Sequence, residues 1–366
     1  MRILLVRPAA SGGLAAHVDQ ELALLRAAGH DVGEAPVRIR ERPRPAADLR
    51  TVRALREVLR RSTDATTLHA HGLRAGALSA LAVGPSSRRG RPGHRLVVTL
   101  HNRTVGSRPT RAVGAALLRI LARGADIVLA VSPDLADSAR RAGARDVRHA
   151  LIPAPEAPPA AERATAVASG PPSADATTAR LTAAGEAERD PEGLAILVIA
   201  RLAPQKGLDD LLDAAALLRD ADPVRFRIAG DGPLHADLAA RIRAEHLPVE
   251  LLGRREDIPA LLAEVDLVVS AARWEGQPVS LQEALRAGRA IVATDAGGTR
   301  WVTGDAAVLV PVGDPAGLAA AISSMRDPAT RREAEAASLL RAQDLPTPED
   351  LLTQLEEVLA SSPRDW

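Results

Sequence analysis

Short apolar runs alternate with longer segments of helical spacing along residues 1–150. The runs hold four or five residues, too few for helices, and such runs are typical of buried strands. They are Ile3–Val6, Thr67–Ala70, Leu96–Leu100 and Ile127–Val131. The helical segments are Leu14–Ala28 (ended by Gly29), Ala47–Arg61 and the stretch from Pro133 to Arg141. The pair Ser132-Pro133 predicts a serine N-cap followed by proline at the first helical position. This alternation of strands and helices predicts an α/β fold, in which helices cover both faces of a parallel sheet.

The pattern stops after Ile152 and resumes near residue 191. Residues 153–190 are rich in Ala, Pro, Thr and acidic residues and show no periodicity, which indicates a linker. A second α/β domain is predicted over 191–345. Its strands are Leu194–Ala200, Phe226–Ala229, Val249–Leu252, Leu267–Ser270 and Ala290–Thr294, and its helices include Leu208–Arg219, Ile258–Ala263 and Val279–Ala287. Residues 346–366 hold an amphipathic helix, Asp350–Leu359, which we expect to return to the first domain, residues 1–152.

The composition narrows the class of protein. A length of 366 residues favours two domains, and the absence of Cys excludes disulfides, thiolate metal sites and a cysteine nucleophile. The N-terminus enters a strand without a signal-peptide pattern, and no apolar run approaches 18 residues. We therefore expect a cytoplasmic protein.

The near-zero net charge hides a split between the two halves. Residues 1–150 carry 26 Arg and 12 acidic residues, whereas the remainder carries 21 basic and 34 acidic residues. Such asymmetry indicates either that the first half meets an anionic partner or that the halves attract each other across a cleft.

The first half offers a glycine turn and several histidines near strand ends. Ser11-Gly12-Gly13 precedes a helix whose first turn carries His17; it lacks the dinucleotide fingerprint, but adjacent glycines let backbone N–H groups approach an anion. A simple tight turn is the alternative. His69 and His71 flank one residue at a strand end and so share a sheet face. His101-Asn102 ends another strand. A metal site needs a third ligand, which no Cys or nearby paired carboxylate supplies, so no metal is expected.

The second half places charged residues after strands, where ligands of open α/β sheets gather. Arg201 and Lys206 lie in a strand–loop–helix junction, where a fixed guanidinium and a mobile ammonium suit a diphosphate. Lys206 is informative because it is the only Lys among 47 basic residues. Glu275 follows a strand, and Glu283 lies about two helical turns further on.

The spacing Glu275-x7-Glu283, with Gly297-Gly298 beyond it, resembles the donor-site signature of retaining glycosyltransferases of the family-4 type. The resemblance covers most of residues 1–345. It implies two Rossmann-like parallel-sheet domains facing across a cleft (the GT-B architecture), which transfer a sugar from a nucleotide-diphosphate sugar to an acceptor hydroxyl with retention of configuration. This chain departs from the family at Trp301, where a Glu is common, and at Ile152–Glu156.

The resemblance also implies roles for individual residues. Arg201 and Lys206 would hold the diphosphate, Glu275 the donor sugar and Glu283 the ribose, and His101 would lie at the transferred sugar. Gly12, Gly13, Gly230, Gly297 and Gly298 would lie near the donor, and the acceptor side would include His17, His69, His71 and Asn102. Neither a metal nor a cofactor is expected, because cationic side chains would neutralise the leaving group. Asp220-Ala221-Asp222, which imitates a metal-binding D-x-D, is interpreted as a loop.

Two other classes stay open: a nucleotide-sugar epimerase of the same fold and an inactive sugar-nucleotide-binding protein. A nicotinamide dehydrogenase is disfavoured because Gly230-x-Gly232 lacks the third glycine.

The acceptor domain is rich in arginine and lacks aromatic residues. Arg40, Arg42 and Arg44 belong to a group of nine arginines within residues 38–61, and residues 1–225 contain no Phe, Trp or Tyr. The group is either an ordinary solvated surface or a site for an anionic acceptor, such as a phosphorylated or lipid-linked one at the inner face of a membrane. Nucleic acid is disfavoured because the aromatics that stack bases are missing.

Overall fold

A computed structural model describes residues 2–9, 13–39, 44–62, 64–84, 93–104, 106–154, 193–219 and 223–360 of the chain. Gly12, Arg40, Arg42, most of the expected linker and the Asp220–Asp222 triplet lie outside these ranges.

The first domain alternates strands and helices. In chain order its elements are β1 (Arg2–Val6), α1 (Gly13–Ala27), β2 (Val32–Glu34), α2 (Pro45–Arg61), β3 (Thr66–His71), α3 (Leu73–Val83), β4 (Arg95–Leu100), α4 (Arg108–Gly124), β5 (Ile127–Ala130), α5 (Pro133–Ala142) and β6 (Val147–His149).

The second domain repeats the alternation and ends in three helices. Its elements are β7 (Leu194–Ile199), a 3-10 turn (Pro204–Lys206), α6 (Leu208–Leu218), β8 (Val224–Ala229), α7 (His235–Ala244), β9 (Val249–Gly253), α8 (Ile258–Ala263), β10 (Leu267–Ser270), α9 (Val279–Arg286), β11 (Ala290–Thr294), α10 (Thr299–Thr303), β12 (Val308–Val310), α11 (Pro315–Ser324), α12 (Pro328–Ala342) and α13 (Pro348–Leu355), followed by a π-helical segment (Glu356–Ala360).

Each domain is built on one six-stranded sheet in which the strand pairs are parallel. The strand orders are β2-β1-β3-β4-β5-β6 and β12-β11-β10-β7-β8-β9. The strand sequences are largely continuous apolar runs because helices cover both faces of each sheet. This confirms the predicted α/β architecture of two parallel-sheet domains.

The start of α5 differs in one detail from the sequence prediction. Ser132 and Pro133 occupy the N-cap and first helical positions. However, the Ser132 hydroxyl does not accept a backbone N–H; it donates to Asp134 Oδ1 at 2.6 Å. The Asp134 carboxylate therefore binds the Ser132 hydroxyl in place of a backbone N–H of the helix.

The chain crosses between the domains twice. At the first crossing, Gln282 of α9 is fully buried, accepts from Ala154 N–H (2.9 Å) and donates to the Ile152 carbonyl (2.8 Å). At the second, α13 and the π-helical segment pack on the first domain, where Leu351, Leu355, Val358 and Leu359 join its core. The Thr67 hydroxyl donates to the Leu359 carbonyl at 3.1 Å. The contacts at both crossings hold the two domains together.

Within the described part of the chain, no helix combines the length and apolarity that a membrane crossing requires.

Candidate active site

The second domain contributes an ion pair between two loops that follow adjacent strands. Lys206 ends the 3-10 turn after β7, and Gly207 turns the backbone into α6 with a φ of 60°. Its Nζ donates to Glu275 Oε1 at 2.5 Å, from the loop after β10. Glu275 is 7% exposed, whereas the Lys206 side chain is 23% exposed. The pair leaves the ammonium partly open to solvent at the carboxyl edge of the sheet.

Gly297 and Gly298, which follow β11, allow the Glu275 loop to pack closely against their own backbone. A Cβ on Gly297 would lie 2.1 Å from the Glu275 carbonyl oxygen, and one on Gly298 would lie 1.8 Å from that of Gly276. Gly298 N–H also donates to the Glu275 carbonyl at 2.9 Å. Gly230 is similarly confined, since a Cβ there would lie 1.9 Å from the Ala200 carbonyl oxygen. A side chain at any of these positions would move the loops that hold the ion pair.

Glu283 lies half-buried on α9, and no hydrogen bond or ion pair to a described residue engages its carboxyl group. Burial raises the pKa of that carboxyl, while the nearby Arg286 partly opposes the shift. Arg201 is exposed two residues after β7. Both side chains are therefore available to a ligand at the same sheet edge.

The first domain meets the Glu275 loop directly. Gly276 approaches so closely that a Cβ on it would lie 2.7 Å from Val131 Cγ2 and 3.7 Å from the His101 carbonyl oxygen. The neighbouring Trp274 is 8% exposed and donates its indole N–H to Asp134 Oδ2 at 3.0 Å. The loop that carries Glu275 thus touches the first domain at Val131, at Asp134 and near the backbone of His101.

His101 is the half-buried member of a group of four histidines around one carboxylate, which we call the histidine cluster: His17, Glu21, His69, His71 and His101. His17 Nε2 lies 2.8 Å from Glu21 Oε1, and both His69 Nδ1 and His71 Nε2 lie 3.2 Å from Glu21 Oε2. His71 Nδ1 lies 3.2 Å from His101 Nε2. Parallel pairing of β3 with β4 brings these strand ends together, and α1 adds His17 and Glu21.

The electrostatics of the histidine cluster follow from burial and mutual proximity. Burial of Glu21 opposes its ionisation, but electrostatic interaction with the imidazoles of His69, His71 and His17 holds its pKa well below the usual value. Desolvation lowers the pKa of His71 to about 4, with Glu21 opposing. Desolvation likewise places the pKa of His101 well below its usual value, helped by His71 and His17. The cluster therefore pairs an ionised Glu21 with neutral His71 and His101 at pH 7.

Three further predicted residues are exposed. Gly13 begins α1, Asn102 is exposed beside His101, and Arg44 is exposed at the N-cap of α2. Arg44 thus lies on the surface and is not drawn into the histidine cluster.

Sequence reasoning missed Glu21 and the Trp274–Asp134 hydrogen bond. Glu21 follows His17 by four residues, a spacing that places both on one face of a helix, and this signal was available. No local signal marks the Trp274–Asp134 contact.

Two parallel-sheet domains face each other in this protein, and charged and imidazole side chains converge between them. This arrangement places the protein in the GT-B class. Residues 193–327 match the family described as Glycosyl transferases group 1, and residues 32–155 match the Glycosyl transferase 4-like domain. The chain therefore belongs to the group 1, family-4-like glycosyltransferases.

Individual relatives agree with this family. An alpha-D-kanosaminyltransferase of Streptomyces kanamyceticus is 32% identical over 145 residues, 38% of each chain. A D-inositol 3-phosphate glycosyltransferase of Thermomonospora curvata is 31% identical over 162 residues, 40% of this chain and 38% of the relative. These matches span less than two fifths of the relatives' lengths. In fold, Anabaena HepE in complex with UDP and glucose superposes with a TM-score of 0.68 at 20% identity, covering 99% of this chain and 100% of that one.

Proposed function

We propose that this protein transfers a sugar from a nucleotide-diphosphate sugar to an acceptor hydroxyl, with retention of anomeric configuration. The observation that carries the proposal is the Lys206–Glu275 ion pair, whose Glu275 lies next to Gly276, the residue that approaches the backbone of His101 across the domain contact. A cation and a carboxylate at the carboxyl edge of a parallel sheet suit a ligand that carries both phosphates and hydroxyls.

In this mechanism the second domain binds the donor. Lys206 and Arg201 contact the diphosphate and stabilise the negative charge that grows on the departing nucleotide, so no metal ion is required there. Glu275 accepts hydrogen bonds from the donor sugar. Glu283, half-buried and without a described partner, accepts hydrogen bonds from the ribose hydroxyls. Gly297 and Gly298 hold this arrangement because only residues without side chains fit against the Glu275 loop.

The first domain binds the acceptor, and His101 lies at the transferred sugar. The acceptor hydroxyl attacks from the face that the nucleotide leaves, without a covalent intermediate on the protein. The arginines around α2 favour an anionic acceptor, which one relative, named a D-inositol 3-phosphate glycosyltransferase, also suggests. A lipid-linked phosphate at a membrane surface belongs to the same chemical class.

The experiment that tests the proposed function separates it from an epimerase. The full chain is incubated with a panel of nucleotide-sugars, first screened by thermal shift because a selective ligand stabilises the folded state by mass action. Nucleotide release that requires an acceptor and matches the glycoside formed supports transfer, and NMR of the product anomer checks retention. Conversion of the free nucleotide-sugar without an acceptor would identify an epimerase instead, and binding without turnover would indicate an inactive binding protein.

A further inference from the structure

The histidine cluster contains buried nitrogen atoms that its neighbours do not satisfy. His17 is 5% exposed, and its Nδ1 meets no hydrogen-bond partner among the described residues. Buried polar atoms in folded proteins are nearly always hydrogen-bonded, so the unpaired Nδ1 of His17 is a reason to look for a ligand at this position.

Three imidazoles converge where that partner would lie. One ring nitrogen from each of His17, His71 and His101 lies within 4.8 Å of the other two, and His71 Nδ1 is 3.2 Å from His101 Nε2. A tetrahedral Zn²⁺ with Zn–N bonds of 2.0–2.1 Å separates its ligand nitrogens by about 3.4 Å. We propose that His17, His71 and His101 bind a divalent transition metal ion of the Zn²⁺ type.

Glu21 supplies the outer support that such a site needs. Its Oε1 lies 2.8 Å from His17 Nε2 and its Oε2 lies 3.2 Å from His71 Nε2. Of these two contacts only the one with His17 is a hydrogen bond, and it favours a proton on His17 Nε2, which leaves the Nδ1 lone pair of His17 for the ion. A carboxylate behind a metal-binding histidine is the usual way to fix its tautomer and orientation. Neutral imidazoles are among the ligands that Zn²⁺ prefers.

The three proposed ligands differ in exposure. His17 and His71 are buried, but His101 is half-buried at the domain contact. Three protein ligands with a fourth position open to the cleft are typical of zinc sites that bind an exchangeable ligand. If the proposed function holds, a dication beside the transferred sugar opposes the positive charge that develops on it, and Zn²⁺ inhibits transfer. The metal-free protein is then the active form, so metal-independent donor binding and a metal site in the acceptor half are compatible.

A rival arrangement uses the same cluster differently. Glu21, His69 and His71 also bring three ligand atoms within 4.8 Å, and Glu21 Oε2, His69 Nδ1 and His71 Nε2 likewise lack a hydrogen-bond partner among the described residues. All three residues are buried, however, and the other ring nitrogen of His69, Nε2, lies 2.8 Å from the Thr99 hydroxyl. That set has no side open to the cleft. His69 therefore separates the two arrangements, since only the rival uses it as a ligand.

Isothermal titration of the chelator-treated, dialysed full chain with Zn²⁺ tests the proposal. We expect one equivalent to bind to the wild type, to His69→Gln and to a control, His235→Gln, which replaces an exposed histidine of α7. Binding should weaken by more than about 100-fold in His17→Gln and His101→Gln, and by about 10–100-fold in Glu21→Gln. Circular dichroism and thermal unfolding establish that each variant is folded; if His17→Gln is not, the half-buried His101→Gln decides.

Absence of stoichiometric binding, or binding that survives both His17→Gln and His101→Gln, would overturn the proposal. Loss in His69→Gln with retention in His101→Gln would assign the ion to the rival set. The inhibition is measured separately, as the Zn²⁺ concentration that halves transfer, and should follow site occupancy. If the protein binds one equivalent of Zn²⁺ but its metal-free form shows no transfer with any nucleotide-sugar and acceptor tried, the proposed function is contradicted and the metal site stands.

Discussion

Lys206 Nζ lies 2.5 Å from Glu275 Oε1, joining the only lysine of the chain to a carboxylate that is 7% exposed. The two residues come from loops that follow β7 and β10, which are neighbours in the second sheet. Removing one partner of a buried charge pair leaves the other charge uncompensated. Substitutions at these two positions should therefore have different effects on nucleotide binding and on turnover.

Glu275→Gln is expected to lower turnover on the order of 10²–10³-fold, because it replaces the charged carboxylate that accepts from the transferred sugar with a neutral amide. Nucleotide affinity should stay equal or rise, because Lys206 loses its competing carboxylate. Steady-state kinetics and nucleotide titration measure both, with Glu250→Gln, an exposed glutamate of β9, as the control. Weaker nucleotide binding with unchanged turnover would place Glu275 outside the sugar site.

Trp274→Phe tests the contact between the domains. It removes the N–H bond to Asp134 but keeps an apolar ring, and we expect a stability loss of about 1 kcal/mol. Turnover should fall about tenfold, because the neighbouring Glu275 loop is displaced relative to His101. Asp134→Asn, which retains an acceptor oxygen, should have a smaller effect on both. Equal behaviour of Trp274→Phe and the wild type would show that this bond does not position the loop.

The parallel-sheet domains were predictable because buried strands and helix ends leave local signals. Leu267–Ser270 and Ala290–Thr294, for example, occur with the predicted bounds. The convergence of His69, His71 and His101 was predictable for a related reason, since carboxyl ends of neighbouring parallel strands meet at one edge.

Other features depend on how elements dock. Glu21 reaches His69 and His71 of β3 only because of the way α1 docks on the first domain, which tertiary packing decides. The Trp274–Asp134 bond depends on the relative placement of two domains, for which residues 132–134 and 274–276 carry no local signal. At Ser132, the cap was predicted from residue type, but a neighbouring carboxylate took the hydroxyl.

The buried histidines predict a pH dependence of stability. Between pH 6.5 and 4 the unfolded chain protonates His71, whereas the folded chain, in which its pKa is about 4, does not. The unfolded state then binds more protons, so stability falls as the pH drops, by up to about 3 kcal/mol from this group. The lowered pKa values of His101 and Glu21 act in the same direction, the latter only at lower pH.

Urea unfolding of the metal-free protein at pH 7 and pH 4.5 measures this dependence. His71→Gln should flatten it, and His235→Gln should not. NMR titration of the imidazoles in the wild type provides the same information if His71→Gln is unstable. Stability that is equal at the two pH values would contradict neutral buried histidines.

The arginine-rich surface predicts salt-sensitive binding of the acceptor. If the acceptor is anionic, its KM should rise steeply between low salt and about 0.5 M salt, whereas the donor KM should change little. Charge reversal at Arg40, Arg42 and Arg44 should raise the acceptor KM more than the donor KM. A neutral acceptor with flat salt dependence would overturn this prediction.

The measurement that tests the central claim most directly is the turnover and nucleotide affinity of Lys206→Ala, in excess chelator, beside the wild type. The account predicts a folded protein with turnover reduced on the order of 10²–10³-fold, because leaving-group stabilisation is lost. It also predicts that chelator leaves the wild type's nucleotide affinity unchanged. A folded Lys206→Ala protein with wild-type turnover, or nucleotide binding that requires a divalent metal ion, would contradict it.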